Sequence, residues 1–146
     1  MANNKNSAVD MRFSGRQLGV MFILFLPIHM LIVKYASQLF SEQIVLGNHF
    51  FPPAFALLYS MIAVTFMIVV ATPFIEWIIE HLKLKLQDPH WIAIYLVINF
   101  FAIWSIARWA EMIGMGIASW MVAAGLAVAF TLVQGGLIKY LISRIK

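Results

Sequence analysis

Four long apolar segments, separated by short polar stretches, dominate the 146-residue chain. They cover approximately residues 18–40, 53–82, 91–109 and 116–142, and each is long enough to cross a bilayer as a helix. The pattern predicts an all-α, polytopic membrane protein with four transmembrane helices in a domain over residues 18–146. Residues 1–17 are predicted to form a polar N-terminal tail.

Small side chains recur every fourth residue along the fourth segment. On a helix such residues share one face, and in lipid a face of this kind lets a neighbouring helix approach closely. The small-residue stripe consists of Ser119, Ala123, Ala127, Thr131 and Gly135. We expect it to be a helix-association surface, through which copies of the chain also associate.

The second and fourth segments resemble each other. Residues 62–78 align without a gap on residues 126–142 with five identical residues, including Phe66 on Phe130. The first and third segments align more loosely. The chain is therefore expected to consist of two similar helical hairpins in the same orientation.

Lysine and arginine are concentrated on one side of the predicted membrane domain. Eight of the ten lie in the tail, in the connection between the second and third segments, or near the C-terminus. The positive-inside rule then places both termini in the cytoplasm, and a bacterial inner membrane is the expected location. Topology and anionic lipid explain the formal charge of +4, so no nucleic-acid partner is expected.

Composition argues against several kinds of chemistry. Hydrophobic residues make up 63% of the chain, more than a soluble domain of this length could bury. The chain has no cysteine, which excludes disulfides, thiolate metal sites and a cysteine nucleophile. It also lacks a nucleotide-binding loop, a metal-binding histidine pattern and a nucleophile elbow. We therefore expect no cofactor, no bound metal and no enzymatic activity.

His29 is an ionisable residue near the middle of the first segment, two residues after Pro27. Such residues are costly in a bilayer and often take part in proton relays or ligand binding. The alternative is a neutral imidazole that is hydrogen-bonded to a carbonyl group freed by the proline. We favour this structural interpretation.

Charged and polar residues cluster towards one end of the first and third segments. Lys34, Gln38 and Glu42 are spaced to share a helix face, as are Arg108 and Glu111. They are expected to pair across the bundle, Lys34 with Glu111 and Glu42 with Arg108. The structural interpretation is a set of ion pairs and cations that extend to the interface. The functional alternative is the charged mouth of a pore.

Two uncharged polar residues lie inside the last two segments, Asn99 in the third and Gln134 in the fourth. Side-chain amides of this kind form hydrogen bonds between membrane helices, each contributing about 1 kcal/mol or less. We expect them to hold the helices together.

Short motifs give the chain a family resemblance. They are VLG at residues 45–47, PF at 73–74, VIN at 97–99 and GMGIAS at 114–119. In this order they resemble a bacterial family of phage-holin-like four-helix membrane proteins, over residues 20–142. The resemblance implies four helices and, through the family name, hole formation in a membrane.

Three functional hypotheses follow from these observations. The first is a small, self-associating, non-catalytic membrane protein with a structural or envelope-related role. The second is an oligomeric, holin-like pore, and the third is an accessory subunit of a larger membrane complex. The expected partners are therefore the lipid bilayer and either further copies of the chain or another membrane protein.

Overall fold

The computed structural model describes residues 14–83 and 88–145, with side chains over 14–83 and 89–137. Residues 1–13 of the predicted tail lie outside this part of the chain. Its last residues belong to the first helix, which begins at Gly15. Ser14 caps that helix through a reciprocal pair of hydrogen bonds, in which Gln17 N–H donates to the Ser14 side chain and Ser14 N–H donates to the Gln17 side chain.

The four predicted spans are present as four long helices. They are α1 (Gly15–Leu39), α2 (Pro53–His81), α3 (Asp88–Arg108) and α5 (Trp120–Ile145), and a short helix α4 (Ala110–Ile113) follows α3. Each long helix contains a stretch that is apolar and long enough to cross a membrane. The all-α, four-helix membrane fold predicted from the sequence is confirmed.

The four long helices form a ring in the order α1, α2, α3, α5. The most extensive contacts are those of α1 with α2 and of α3 with α5, which are the two predicted hairpins. The seam between α1 and α5 closes the ring and is the least extensive. Because α1 and α3 lie across the ring from each other, they share no packed interface.

A two-stranded antiparallel ribbon joins the helices at one end of the bundle, which we call the ribbon end. Its strands are β1 (Ile44–Leu46) and β2 (Met115–Ile117), with Ile44 opposite Ile117. From the sequence, residues 44–46 and 115 were predicted to lie in connections, and residues 116 and 117 in the fourth helix. Pairing the strands satisfies their backbone groups with each other, which matters at a membrane boundary because unpaired groups are costly there.

The ribbon corrects the predicted start of the fourth span. That span was placed at Gly116, but residues 115–117 are extended and α5 begins at Trp120. Ser119 lies outside α5, and its hydroxyl oxygen accepts a hydrogen bond from Met121 N–H at 3.2 Å. It caps the helix and does not extend the small-residue stripe.

The gapless alignment of the second and fourth spans does not match residues in equivalent environments. Phe66 is 60% exposed while its counterpart Phe130 is fully buried. Val64 is fully buried while Val128 is 45% exposed. At these two positions the aligned residues therefore face the interior of the bundle in one helix and its outer surface in the other.

The core towards the ribbon end is apolar. Ribbon side chains complete it, since Ile44, Met115 and Ile117 are each no more than 2% exposed. They pack with buried residues of the helices such as Met61 and Ile103. The ribbon therefore covers this end of the bundle with hydrophobic side chains.

Candidate functional site

A cluster of polar side chains lies in the centre of the bundle, and each long helix contributes to it. We call it the central polar network. All its members are 7% exposed or less in a chain that is otherwise apolar at this depth. They are His29 of α1, Thr65 of α2, Asn99 of α3, and Thr131 and Gln134 of α5.

Hydrogen bonds connect these five side chains without a break. His29 Nδ1 lies 2.9 Å from Thr65 Oγ1, and His29 Nε2 lies 3.1 Å from Gln134 Nε2. The amides of Asn99 and Gln134 bond reciprocally, at 2.8 Å from Asn99 Nδ2 to Gln134 Oε1 and 3.3 Å in the other direction. Asn99 Nδ2 also donates to Thr131 Oγ1 at 2.9 Å.

The donors and acceptors of this network assign one form to His29. The Thr131 hydroxyl donates to the Ala127 carbonyl at 2.8 Å, so its oxygen accepts from the amide nitrogen of Asn99. That orientation leaves the second proton of the Asn99 amide for Gln134 Oε1, which turns the Gln134 amide nitrogen towards the ring. Nε2 of His29 must then accept, and Nδ1 carries the proton that is donated to Thr65. The arrangement is complementary to a neutral imidazole.

Aromatic rings pack around the imidazole. The ring of Phe130 stacks on His29 with centroids 3.9 Å apart and an interplanar angle of 8°. Phe25 lies on the same helix as His29, with a centroid separation of 5.8 Å. Since Phe130 belongs to α5, its stack with His29 closes the α1–α5 seam at the depth of the network.

The network lies near the middle of the membrane-spanning part of the bundle. His29 is about 21 Å along α1 from its first residue, and Thr65 is about 18 Å along α2 from the opposite end, at 1.5 Å per residue. The two distances together give about 39 Å from one end of the bundle to the other, so the network lies near the middle of a region that contains about 30 Å of hydrocarbon. Unpaired polar groups are expensive at this depth, which favours the one packing that pairs all of them.

The structure places the sequence-predicted polar residues of the spans in this network. Asn99 and Gln134 were expected to bond helices together, and they join α3 to α5. His29 was expected to bond to a carbonyl group freed by Pro27. Its partners are instead the Thr65 hydroxyl and the Gln134 amide, on two other helices.

Thr65 is a network residue that the sequence analysis did not single out. Threonine is common in membrane helices, and its hydroxyl can bond to its own backbone, so one threonine carries little positional information. A weak signal was available in the seven-residue spacing of Thr65 and Thr72, which places both on one face of α2. Both are buried.

Thr72 takes part in a second, smaller polar group on the side of the network away from the ribbon. Its hydroxyl donates to the Ile68 carbonyl at 3.0 Å. Tyr95 of α3 lies close to Thr72 and Glu76. This group links α2 and α3 as the central polar network links all four helices.

The predicted charged cluster at the ribbon end does not converge. Lys34, Gln38, Glu42 and Glu111 are exposed, and neither predicted ion pair forms within the part of the chain that the structure describes. The predicted pairing is therefore wrong. The reason is the order of the helices, since α1 packs neither against α3, which carries Arg108, nor against α4, which carries Glu111.

Arg108 has a local role in place of the predicted ion pair. Its guanidinium donates to the carbonyl oxygen of Ile117 in β2. The same group lies over the ring of Trp104, 4.0 Å from the ring centroid, in cation–π geometry. Arg108 therefore attaches the ribbon to the end of α3.

The small-residue stripe is buried inside the bundle. Ala123 and Ala127 are fully buried and Thr131 is 7% exposed, while Gly135 is half-buried. Thr131 bonds to Asn99, so this face of α5 packs against α3 of the same chain. The prediction that copies of the chain associate through this stripe is wrong, because its central residues are inaccessible to another copy.

Neither a metal-binding geometry nor similarity to a known protein assigns a role to the central polar network. Over the described residues, no group of three or more His, Cys, Asp or Glu side chains is arranged to hold a metal ion. No protein-family model, curated protein or solved structure matches the chain.

Proposed function

We propose that this integral membrane protein is a non-catalytic, self-associating component of a bacterial inner membrane, with both termini in the cytoplasm. The observation that carries the proposal is an outward face of α5 on which two glycines are exposed. The hydrogen bonding within the central polar network supports the absence of catalysis, because the network side chains donate and accept among themselves.

The outward face of α5 contains residues that repeat at three- and four-residue spacing. Gly125 and Gly136 are exposed, and a methyl group added at either position would meet no atom within 4 Å. Val128 and Leu132 lie between them and are 45% and 70% exposed. Membrane helices associate closely where glycine replaces a larger side chain. The face runs for about 16 Å along α5 between the two glycines, at 1.5 Å per residue.

We expect Gly136→Leu to weaken self-association, because the leucine side chain would keep the backbone of the second copy at a distance. The native mass of the purified protein in mild detergent should shift from oligomer to monomer. Gly19→Leu is the matched control, since Gly19 is an exposed glycine of α1 that also has no atom within 4 Å of an added methyl group.

An oligomer that survives Gly136→Leu unchanged would contradict this association face. A monomeric wild-type protein would contradict self-association itself. In that case the exposed glycines would favour the third hypothesis, in which α5 docks against a different membrane protein as part of a larger complex.

The pore hypothesis rests on the resemblance to phage-holin-like proteins and on the name of that family. A single protomer is poorly suited to form a pore by itself. Large side chains fill the centre of its ribbon end, and the side chains of the central polar network hydrogen bond to one another. We therefore expect liposomes that contain the purified protein to remain tight to ions and small dyes. Protease access to the tail would verify insertion.

Protein-dependent flux would contradict that expectation and move the pore hypothesis to first place. The variant that decides the route is Arg108→Ala with Glu111→Ala. If this double variant altered the flux, the ribbon end would be the mouth of the pore.

A further inference from the structure

An apolar groove of about 800 Å³ opens along the α1–α5 seam at the ribbon end. The two helices contact each other least among the ring neighbours, and they separate over this part of their length. The walls are mainly aliphatic, with small residues on both sides and the rings of Tyr35 and Phe40 on the side of α1. They include Ile32, Ala36 and Leu39 of α1 and Val122, Leu126 and Ala129 of α5.

The groove ends near the middle of the membrane. Beyond Ala129 the seam is closed by Phe130, which stacks on His29, and by the contact of Gln134 with the same ring. The groove wall on α5 runs from Ser119 to Ala129. This distance is about 15 Å at 1.5 Å per residue, which is half of a hydrocarbon core about 30 Å thick. The groove therefore has the depth of one leaflet.

Apart from Tyr35, whose side chain is 63% exposed, the polar lining residues are found towards the open end of the groove. Gln43 and Ser119 lie there, close to the ribbon and the membrane surface. The Ser119 oxygen already accepts a hydrogen bond from Met121 N–H, and its hydroxyl proton is left to donate. None of the lining residues carries a charge.

From this shape we propose that the groove binds one acyl chain of a phospholipid from the leaflet at the ribbon end. Its aliphatic walls match the hydrocarbon chain, and its polar mouth lies at the level of the glycerol esters. The closed end of the groove lies at mid-membrane, where an acyl chain that enters from that leaflet ends. Because the lining is uncharged, recognition depends on the chain and not on the charge of the headgroup.

A helix from a second copy fits the groove less well. A transmembrane helix with its side chains is about 10–12 Å wide and crosses both leaflets. The groove is blocked halfway by the Phe130–His29 stack, so a straight helix could occupy it over only half its length. Gly136 of the association face lies past that block and is not part of the groove lining, whereas Gly125 borders both surfaces.

Ala129→Leu tests the proposal by filling the groove with a larger side chain. The protein would be reconstituted with equal amounts of palmitoyl-oleoyl phosphatidylcholine and phosphatidylglycerol, then examined by native mass spectrometry. We expect one retained phospholipid per wild-type protomer and at least tenfold lower retention for Ala129→Leu. Val70→Leu is the matched control, because Val70 is exposed on α2, outside both the groove lining and the association face of α5.

Headgroup and folding controls complete the experiment. The two phospholipids should be retained within about twofold of each other, and strong selectivity for one would contradict recognition by the chain. Ala36→Leu provides a second filling variant if Ala129→Leu does not fold, because Ala36 lines the groove from α1 and lies outside the association face of α5. Equal lipid retention in wild type and folded variants would overturn the proposal. The proposal would also be overturned if filling the groove caused the loss of a second protomer and not the loss of a lipid.

Discussion

Gly114→Ala is expected to destabilise the bundle by about 2–5 kcal/mol, from backbone strain and overpacking together. Gly114 ends α4 with φ of +86°, a left-handed conformation that side chains other than glycine rarely adopt. An added methyl carbon would also lie 2.7 Å from the Cβ atom of Ala56 in α2. Neither atom is the end of a flexible side chain, so backbone would have to move.

The location of Gly114 increases the effect. Its carbonyl accepts a hydrogen bond from Gly47 N–H at 2.8 Å, which continues the ribbon beyond its paired strands. Asn48 follows directly, and its side-chain amide donates to the carbonyl oxygens of Ala110 and Glu111. A shift at Gly114 would therefore disturb the contacts that attach the ribbon to α4 and α2.

Gly116→Ala is the matched control for this prediction. Gly116 belongs to the same ribbon, but its φ is not positive and an added methyl carbon would lie 3.4 Å from Ala110 Cβ, at ordinary contact distance. The free energy of unfolding can be measured in mixed micelles by titration with SDS and circular dichroism. Equal stability of the two variants would show that the ribbon accommodates a side chain at Gly114.

Asn99→Leu is expected to cost about 1–3 kcal/mol, although single hydrogen bonds between membrane helices usually contribute less. Asn99 bonds to both Thr131 and Gln134, and leucine has nearly its size without a polar atom. The substitution would leave Gln134 Oε1 without its donor in a buried site. Thr131 would lose a donor but keep its own bond to the Ala127 carbonyl.

A double-mutant cycle shows whether the network acts as a unit. We expect Asn99→Leu combined with Gln134→Leu to cost less than the sum of the two single variants, by about 1–2 kcal/mol. The double variant removes both amides together, so the unpaired oxygen of the single variant is no longer present. The same unfolding measurement provides all the values.

Ser60→Ala is the control cycle, because Ser60 makes one long hydrogen bond of 3.5 Å to the Ile113 carbonyl, away from the central polar network. Its effect should be small and additive with Asn99→Leu. If Asn99 and Gln134 were also additive, the two amides would be independent contacts and the network would not select the packing of the bundle.

The sequence by itself determined the number of spans, their approximate bounds, and His29, Asn99 and Gln134 as polar residues inside them. Length and hydropathy decide these features, because about 20 apolar residues are needed for a helix to cross the hydrocarbon core. The second span was predicted to begin at residue 53, and α2 begins at Pro53, since proline is favoured at the first position of a helix. Asn99 and Gln134 were identified as helix-joining residues because amides in a bilayer need partners.

Only the tertiary structure decided which residues meet. Lipid is as apolar as the core, so a membrane helix lacks the polar face that in a soluble protein marks the outward side. The sequence therefore could not show that Ala123 and Ala127 face α3 while Gly125 and Gly136 face outward. The ring order, which separates Lys34 from Glu111 and brings His29 to Thr65 and Gln134, depends on how all four helices pack at once.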